Sequence, residues 1–129
     1  MKVVIDCNIF ISAGLNRGTC RDLIYELIEH HTVYFSPEII EEYTVVINRP
    51  KFQKVPAFNL ILQDLGTVAI IVKPVQLSFK LADPNDETYL ATALTAKANV
   101  IITGNKKHFP LDEYEGVKIL SPREFLDLL

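Results

Sequence analysis

The chain has 129 residues, 49% of them hydrophobic and 22% charged, with a formal net charge of -3. This is the size and make-up of one soluble domain, residues 1–129, able to bury a core without staples, and it excludes a disordered or fibrous chain. The two cysteines, Cys7 and Cys20, form no CxxC pair, which argues against a disulfide scaffold or zinc site and for a reducing cytoplasm, while the acidic balance argues against a strong nucleic-acid binder but does not exclude a nuclease with a carboxylate-rich metal site.

The N-terminus enters directly on a strand pattern, Lys2 to Ile5, rich in β-branched residues. No basic stretch, apolar run and cleavage site precede it, so no signal peptide is expected. No apolar run approaches the ~20 residues of a membrane span. Arg21 to His31 carries Leu23, Ile24, Leu27 and Ile28 at helical spacing. Thr32 to Phe35 reads as a second strand. Ser36-Pro37 then opens a helix that runs to about Asn48, where Arg49-Pro50 ends it. Residues 51–65 look helical in pieces, with Pro56 starting the clearer part and Gly66 stopping it. Thr67 to Val72 is the third strand, and Asp83-Pro84 opens a helix to about Ala98. Val100 to Thr103 and Val117 to Leu120 are the fourth and fifth strands, and Ser121-Pro122 caps a last short helix. Strands alternating with helices predict an α/β fold, a three-layer α/β/α sandwich around a mainly parallel five-stranded sheet. In such sheets a site lies outside the carboxyl ends of the strands.

Polar residues gather at those ends. Asp6 and Asn8 follow the first strand, and Thr103-Gly104-Asn105 follow the fourth. Asp6 suits a crevice carboxylate, though Asp and Asn also favour plain turns. On the helix from Pro37, the apolar positions are Ile39, Ile40, Tyr43, Val46 and Ile47. Helical phase sets Glu42 at the edge of that face and turns Glu41 away, although most helix glutamates are simply solvated. In Asp83-Pro84-Asn85-Asp86-Glu87, Asp83 reads first as a helix cap, with Asp86 at the capping-box position. Phase places Glu87 near the centre of an apolar face made by Leu90, Ala91, Leu94 and Ala98, where a carboxylate needs a partner, a proton or a cation. Glu87 is therefore favoured as a ligand, with Asp86 beside it or in its place. Lys106, Lys107 and His108 follow Asn105 and read equally as phosphate contacts or as a solvated loop. Carboxylates converging without a His or Cys partner suit a hard cation such as Mg²⁺ or Mn²⁺.

The order of these motifs resembles the PIN-domain family, in particular its bacterial toxin branch. Val-Val-Ile-Asp6-Cys-Asn8 is similar to that family's opening strand, and Ser36-Pro37 through Glu42-Tyr43 to Arg49-Pro50-Lys51-Phe52 to its second acidic segment. Asp83-Pro84-Asn85-Asp86-Glu87, then Thr103-Gly104-Asn105 and His108-Phe109-Pro110, resemble its third and fourth elements. The resemblance implies cleavage of single-stranded RNA by a metal-dependent ribonuclease using Mg²⁺ or Mn²⁺. The implied catalytic and metal-binding positions are Asp6, Glu42, Asp86 and Glu87, with Asn8, Thr103, Asn105 and Lys106 as supporting or substrate-binding residues. It further implies a small antitoxin as partner and a homodimer or higher oligomer. Asn105 stands where the family often has Asp, and an amide is the weaker ligand. That departure leaves a second reading open: a catalytically weak PIN-like module that binds RNA or protein. A phosphoacceptor receiver domain shares the sheet architecture, but Asp6-Cys7-Asn8 and Val72-Lys73-Pro74 lack its acidic pattern.

Overall fold

The computed structural model describes residues 1–81 and 83–129. Its sheet has six strands: β1 (Lys2–Ile5), β2 (Thr32–Phe35), β3 (Ile70–Ile71), β4 (Val100–Ile102), β5 (Glu113–Tyr114) and β6 (Val117–Leu120). Their spatial order is β3-β2-β1-β4-β6-β5, all parallel except β5 against β6. Six α-helices surround it: α1 (Cys7–Leu15), α2 (Thr19–His30), α3 (Pro37–Ile47), α4 (Pro56–Val68), α5 (Pro84–Ala96) and α6 (Pro122–Asp127). Helix α5 lies across β1, β2 and β4, whereas α1, α2 and α4 pack on one another and α6 joins α2. The architecture is a three-layer α/β/α sandwich.

The sheet differs from the expected five strands by a short edge hairpin. Glu115 (φ 47°) and Gly116 (φ 90°) form a two-residue turn between β5 and β6, with Tyr114 facing Val117. Positive φ at both turn positions matches the twist that a tight hairpin requires. The third strand is shorter than expected, because only Ile70 and Ile71 pair with β2 and residues 67–68 complete α4 instead. Helix α4 runs straight through Gly66, held by its buried residues Phe58, Ile61 and Leu65. Packing here outweighs the ~1 kcal/mol that an interior helix glycine costs. Among the described residues, no helix is long and apolar enough to cross a membrane.

The core is continuous, from Val3, Val4 and Ile5 on β1 through Val33 and Phe35 on β2 to Ile101 and Ile102 on β4. Phe10 stacks on Tyr43 with ring centroids 4.6 Å apart, and Phe58 fills the space between Phe10 and Phe52. Gly14 lets α1 approach α4, since a Cβ there would overlap the buried ring of Phe58. Gly14→Ala should lower stability by ~1–3 kcal/mol, because the ring has no free volume to enter. Denaturant titration checks this, and a midpoint equal to that of the unaltered chain would refute it.

The order of strand addition reverses at β1. From β1 the chain moves to β2 on one side, and it later returns to place β4 on the other. The carboxyl ends of β1 and β4 therefore flank a topological switch point, where two neighbouring connections leave in opposite directions and a crevice opens.

Candidate functional site

The crevice is built on Asp6, directly after β1. Its backbone N–H donates to the Ile102 carbonyl of β4 at 3.0 Å, so the last sheet bond holds the residue in place. Asp6 occupies the cap position of α1, yet its side chain makes no cap bond. Instead its carboxylate accepts a 2.8 Å bond from the Thr103 hydroxyl, and Thr103 Oγ1 accepts in turn from the Asn105 N–H at 3.0 Å. Thr103 is fully buried and Asp6 nearly so.

Two tyrosines fix the peptides on either side of Asp6. The Tyr43 hydroxyl donates to the Ile5 carbonyl at 2.6 Å, tying α3 to the end of β1. The Tyr89 hydroxyl accepts from the Cys7 N–H at 3.1 Å, tying α5 to the next turn. Tyr43 adjoins Glu42 in sequence, and Tyr89 lies three residues after Asp86, so each anchor also places an acidic side chain. Sequence reasoning assigned neither tyrosine to the site. The available signal was a phenol embedded in an apolar face, where a buried hydroxyl demands a partner.

Helix α3 starts where the buried Ser36 side chain accepts from the Ile39 N–H at 3.3 Å and Pro37 takes the first position. Glu42 follows on the second turn and is half-buried. Burial raises its pKa, and the charges of Asp6 and Asp83 add to the rise, while hydrogen bonding from Tyr89 and Cys7 partly offsets it. Burial, with Glu42 and Asp6 nearby, also keeps Cys7 a neutral thiol. The groove beside Glu42 has a volume of about 260 Å³, with Arg49, Asn85 and Thr88 on its walls.

Helix α5 buries Asp86 more deeply than Glu87, the opposite of the burial that helical phase predicts. Asp83 caps the helix by accepting from the Asn85 N–H at 2.9 Å. Asp86 is only 5% exposed, and its Oδ2 has no hydrogen-bond partner among the described residues. Glu87 is half-buried and accepts a 2.7 Å bond from the Leu81 N–H, bordering a separate cavity formed with Pro74, Val75 and Leu77. The helical phase was misread because α5 is covered on several sides: Asp86, Tyr89, Leu90, Ala91, Thr92, Ala93 and Ala96 are all buried. With small residues all around, the apolar stripe has no sharp centre.

Burial pushes the Asp86 carboxyl up to about 6, with the charges of Asp83 and Asp6 adding to the rise and His108 opposing it. His108 Nδ1 stands 3.4 Å from Asp86 Oδ2, a charge contact without hydrogen-bond geometry. One ligand atom from each of Asp83, Asp86 and His108 lies within 4.8 Å of the others. Sequence spacing gave no hint of this, because His108 reaches the site on a single 3₁₀ turn, Lys106–His108, after β4. Asp6 and Asp83 thus lie in electrostatic range of both Glu42 and Asp86, whereas the Glu87 carboxylate is engaged by the Leu81 amide. An unpartnered buried carboxylate oxygen amid like charges fits a divalent cation, which would supply the missing partner.

The supporting positions divide. Thr103 and Asn105 are engaged with Asp6 and His108. Asn8 is exposed on the first turn of α1. Lys106 turns away to Glu124, with Nζ 3.1 Å from its Oε1, so its charge is directed towards α6.

A family model described as "PIN domain" matches residues 2–107. An uncharacterized protein of Methanocaldococcus jannaschii is 35% identical over 143 residues, covering 98% of this chain and 90% of that protein. The crystal structure of VapBC2 from Rickettsia felis bound to a DNA fragment from their promoter contains a chain of similar fold. The TM-score is 0.64 at 15% identity, over 94% of this chain and 98% of that one.

Proposed function

Because the chain belongs to the PIN-domain family, we propose that it is an endoribonuclease that cleaves single-stranded RNA with Mg²⁺ or Mn²⁺. The observation that carries this reading is Asp86 Oδ2, buried and unpartnered among the described residues, with the charges of Asp83 and Asp6 acting on it and both of those acting on Glu42 as well. Asp6, Glu42 and Asp86 are the residues proposed to hold the ion. When bound, a divalent cation makes water a stronger nucleophile at neutral pH and offsets charge on the phosphodiester.

The chain's own residues do the rest. Thr103 orients the Asp6 carboxylate, and the two tyrosine bonds keep the turn between β1 and α1 from yielding to carboxylate repulsion. Arg49, on the groove wall beside Glu42, offers a guanidinium to the RNA backbone, where charge neutralisation supplies affinity. Lys106 would meet the RNA backbone by exchanging its exposed ion pair with Glu124 for phosphate. Glu87 shapes the neighbouring cavity by holding the Leu81 amide.

On this reading the chain is one domain acting in the cytoplasm, the toxin of a toxin–antitoxin pair held by a small antitoxin and able to form a homodimer. The family's bacterial toxin branch, which the sequence resembles, supports that role. So does the matching Rickettsia felis chain, which comes from a structure of VapBC2 bound to promoter DNA.

Asp6→Asn tests the chemistry. It preserves size and the Thr103 contact but removes the charge. Mg²⁺-dependent cleavage of single-stranded RNA should fall roughly a hundredfold or more, beyond the cost of losing a mere supporting group. Unchanged cleavage in a preparation free of contaminating nuclease would overturn the assignment.

A further inference from the structure

A cluster of acidic residues is common on protein surfaces, but here two further observations narrow its chemistry. The first is Asp86 Oδ2, nineteen-twentieths buried by residue and lacking any hydrogen-bond partner among the described residues, aimed at the space it shares with Asp83 and His108. The second is the state of the imidazole. His108 is 42% exposed by side chain and so open to solvent ions, yet its ring is held from behind, with Nε2 2.9 Å from the Asn105 amide nitrogen.

We propose that His108, backed by Asn105, is a nitrogen ligand to the divalent ion proposed above at Asp86, with the cap residue Asp83 at its edge, making the site selective for Mn²⁺ over Mg²⁺. This rests on the divalent-metal part of the function proposed above, and it adds a donor that the carboxylate set lacks. Magnesium takes oxygen ligands and gains little from an imidazole, whereas Mn²⁺, though it also favours oxygen donors, is a first-row transition ion and binds an added imidazole more readily than Mg²⁺ does.

Asn105 makes the imidazole available. An amide presents an oxygen on one side and a nitrogen on the other, and rotation about its last bond exchanges them. With nitrogen towards Nε2, the ring carries its proton on Nδ1, 3.4 Å from Asp86 Oδ2 but without hydrogen-bond geometry to it. With oxygen towards Nε2, that nitrogen holds the proton and donates it to Asn105, leaving the Nδ1 lone pair free for the ion. Outer partners of this kind fix the tautomer of metal-bound histidines. An aspartate at position 105 would do the same with more charge, so the amide here retains the orienting role without adding another anion to four carboxylates.

Metal-free full-length chain loaded with Mn²⁺ provides the test. Pulsed electron paramagnetic resonance detects nitrogen bound directly to Mn²⁺, and calorimetry gives the affinities for Mn²⁺ and Mg²⁺. The unaltered chain should show the nitrogen coupling. His108→Ala should abolish it and weaken Mn²⁺ binding by about tenfold or more, while Mg²⁺ affinity changes by less than about threefold. Asn105→Ala should weaken Mn²⁺ binding to an intermediate degree. His30 and His31 remain in all variants, so a coupling that survives His108→Ala would overturn the proposal. So would its absence from the unaltered chain, or an unchanged Mn²⁺ affinity in His108→Ala. Circular dichroism confirms that the variants fold. RNA cleavage by the same samples separates the two readings. Nitrogen coupling without cleavage supports the ligand and overturns the nuclease, whereas Mn²⁺-dependent cleavage without the coupling overturns the ligand alone.

Discussion

Replacing Asp86 by Asn should lower RNA cleavage by roughly a hundredfold or more and at the same time make the metal-free protein more stable. The two effects have one cause. Asp86 is buried with Oδ2 unpartnered, and Asp83 and Asp6 add repulsion. The fold tolerates this carboxylate only at a cost, and the cost is what draws in a cation. An amide of the same shape removes the charge, so the gain near pH 8 should be on the order of 2 kcal/mol, visible as a higher thermal midpoint. Glu87→Gln is the contrasting case. Its carboxylate accepts the Leu81 N–H, and its loss should weaken that bond by ~1 kcal/mol while cleavage falls by less than tenfold. If Glu87→Gln abolished cleavage and Asp86→Asn did not, the assignment would be reversed.

The second large effect is a pH dependence that the metal should erase. The Asp86 pKa rises from 3.8 to about 6 on folding, chiefly through burial. A raised acid pKa means that the folded chain binds the proton more tightly than the unfolded chain does. The corresponding stability is fully present below pH 3.8 and is lost as pH rises through about 6. The full span is ~3 kcal/mol before solvent screening, which reduces it. Glu42 shifts in the same direction, with burial again the leading cause. The metal-free chain should therefore melt at a higher temperature at pH 5.5 than at pH 7.5. Saturating Mn²⁺ should remove or reverse that slope, because the ion binds the deprotonated carboxylates and stabilises the folded state above pH 6. Asp86→Asn should flatten the metal-free slope as well. A flat profile in the unaltered, metal-free chain would contradict the burial of this charge.

Most of the fold was legible because its strands and helix starts carry local signals. Val3-Val4-Ile5 marks β1, and Ser36-Pro37 and Ser121-Pro122 mark the starts of α3 and α6, the latter with a full capping box to Glu124. Helix α1 was missed because Cys7–Leu15 is apolar along most of its length, with Cys7, Ile9, Phe10, Ala13 and Gly14 buried. A helix enclosed by others has no polar face from which a period can be read. The β5 hairpin was missed because two paired residues give no alternation to detect. At the site, the strand-end rule pointed to Asp6 and Thr103, and the structure joins them by a hydrogen bond. His108 was illegible for the opposite reason: its place beside Asp86 depends on a loop after β4, and no spacing along α5 encodes it.

The placement of the crevice at the middle of the sheet also sets how the protein loses it. Strands β3 and β5 lie at the rims with two residues each, and they can fray at little cost. The amides of Asp6 and Thr103 are bonded to Ile102 and Leu120 in the interior, so they exchange with solvent only when the central strands part. Asn105 and His108 sit on a short turn outside the sheet and exchange through local opening. The crevice therefore has a slow wall and a fast wall. Damage at the rims leaves the slow wall standing until the whole fold gives way, while the fast wall can adjust to an arriving ion without disturbing the sheet.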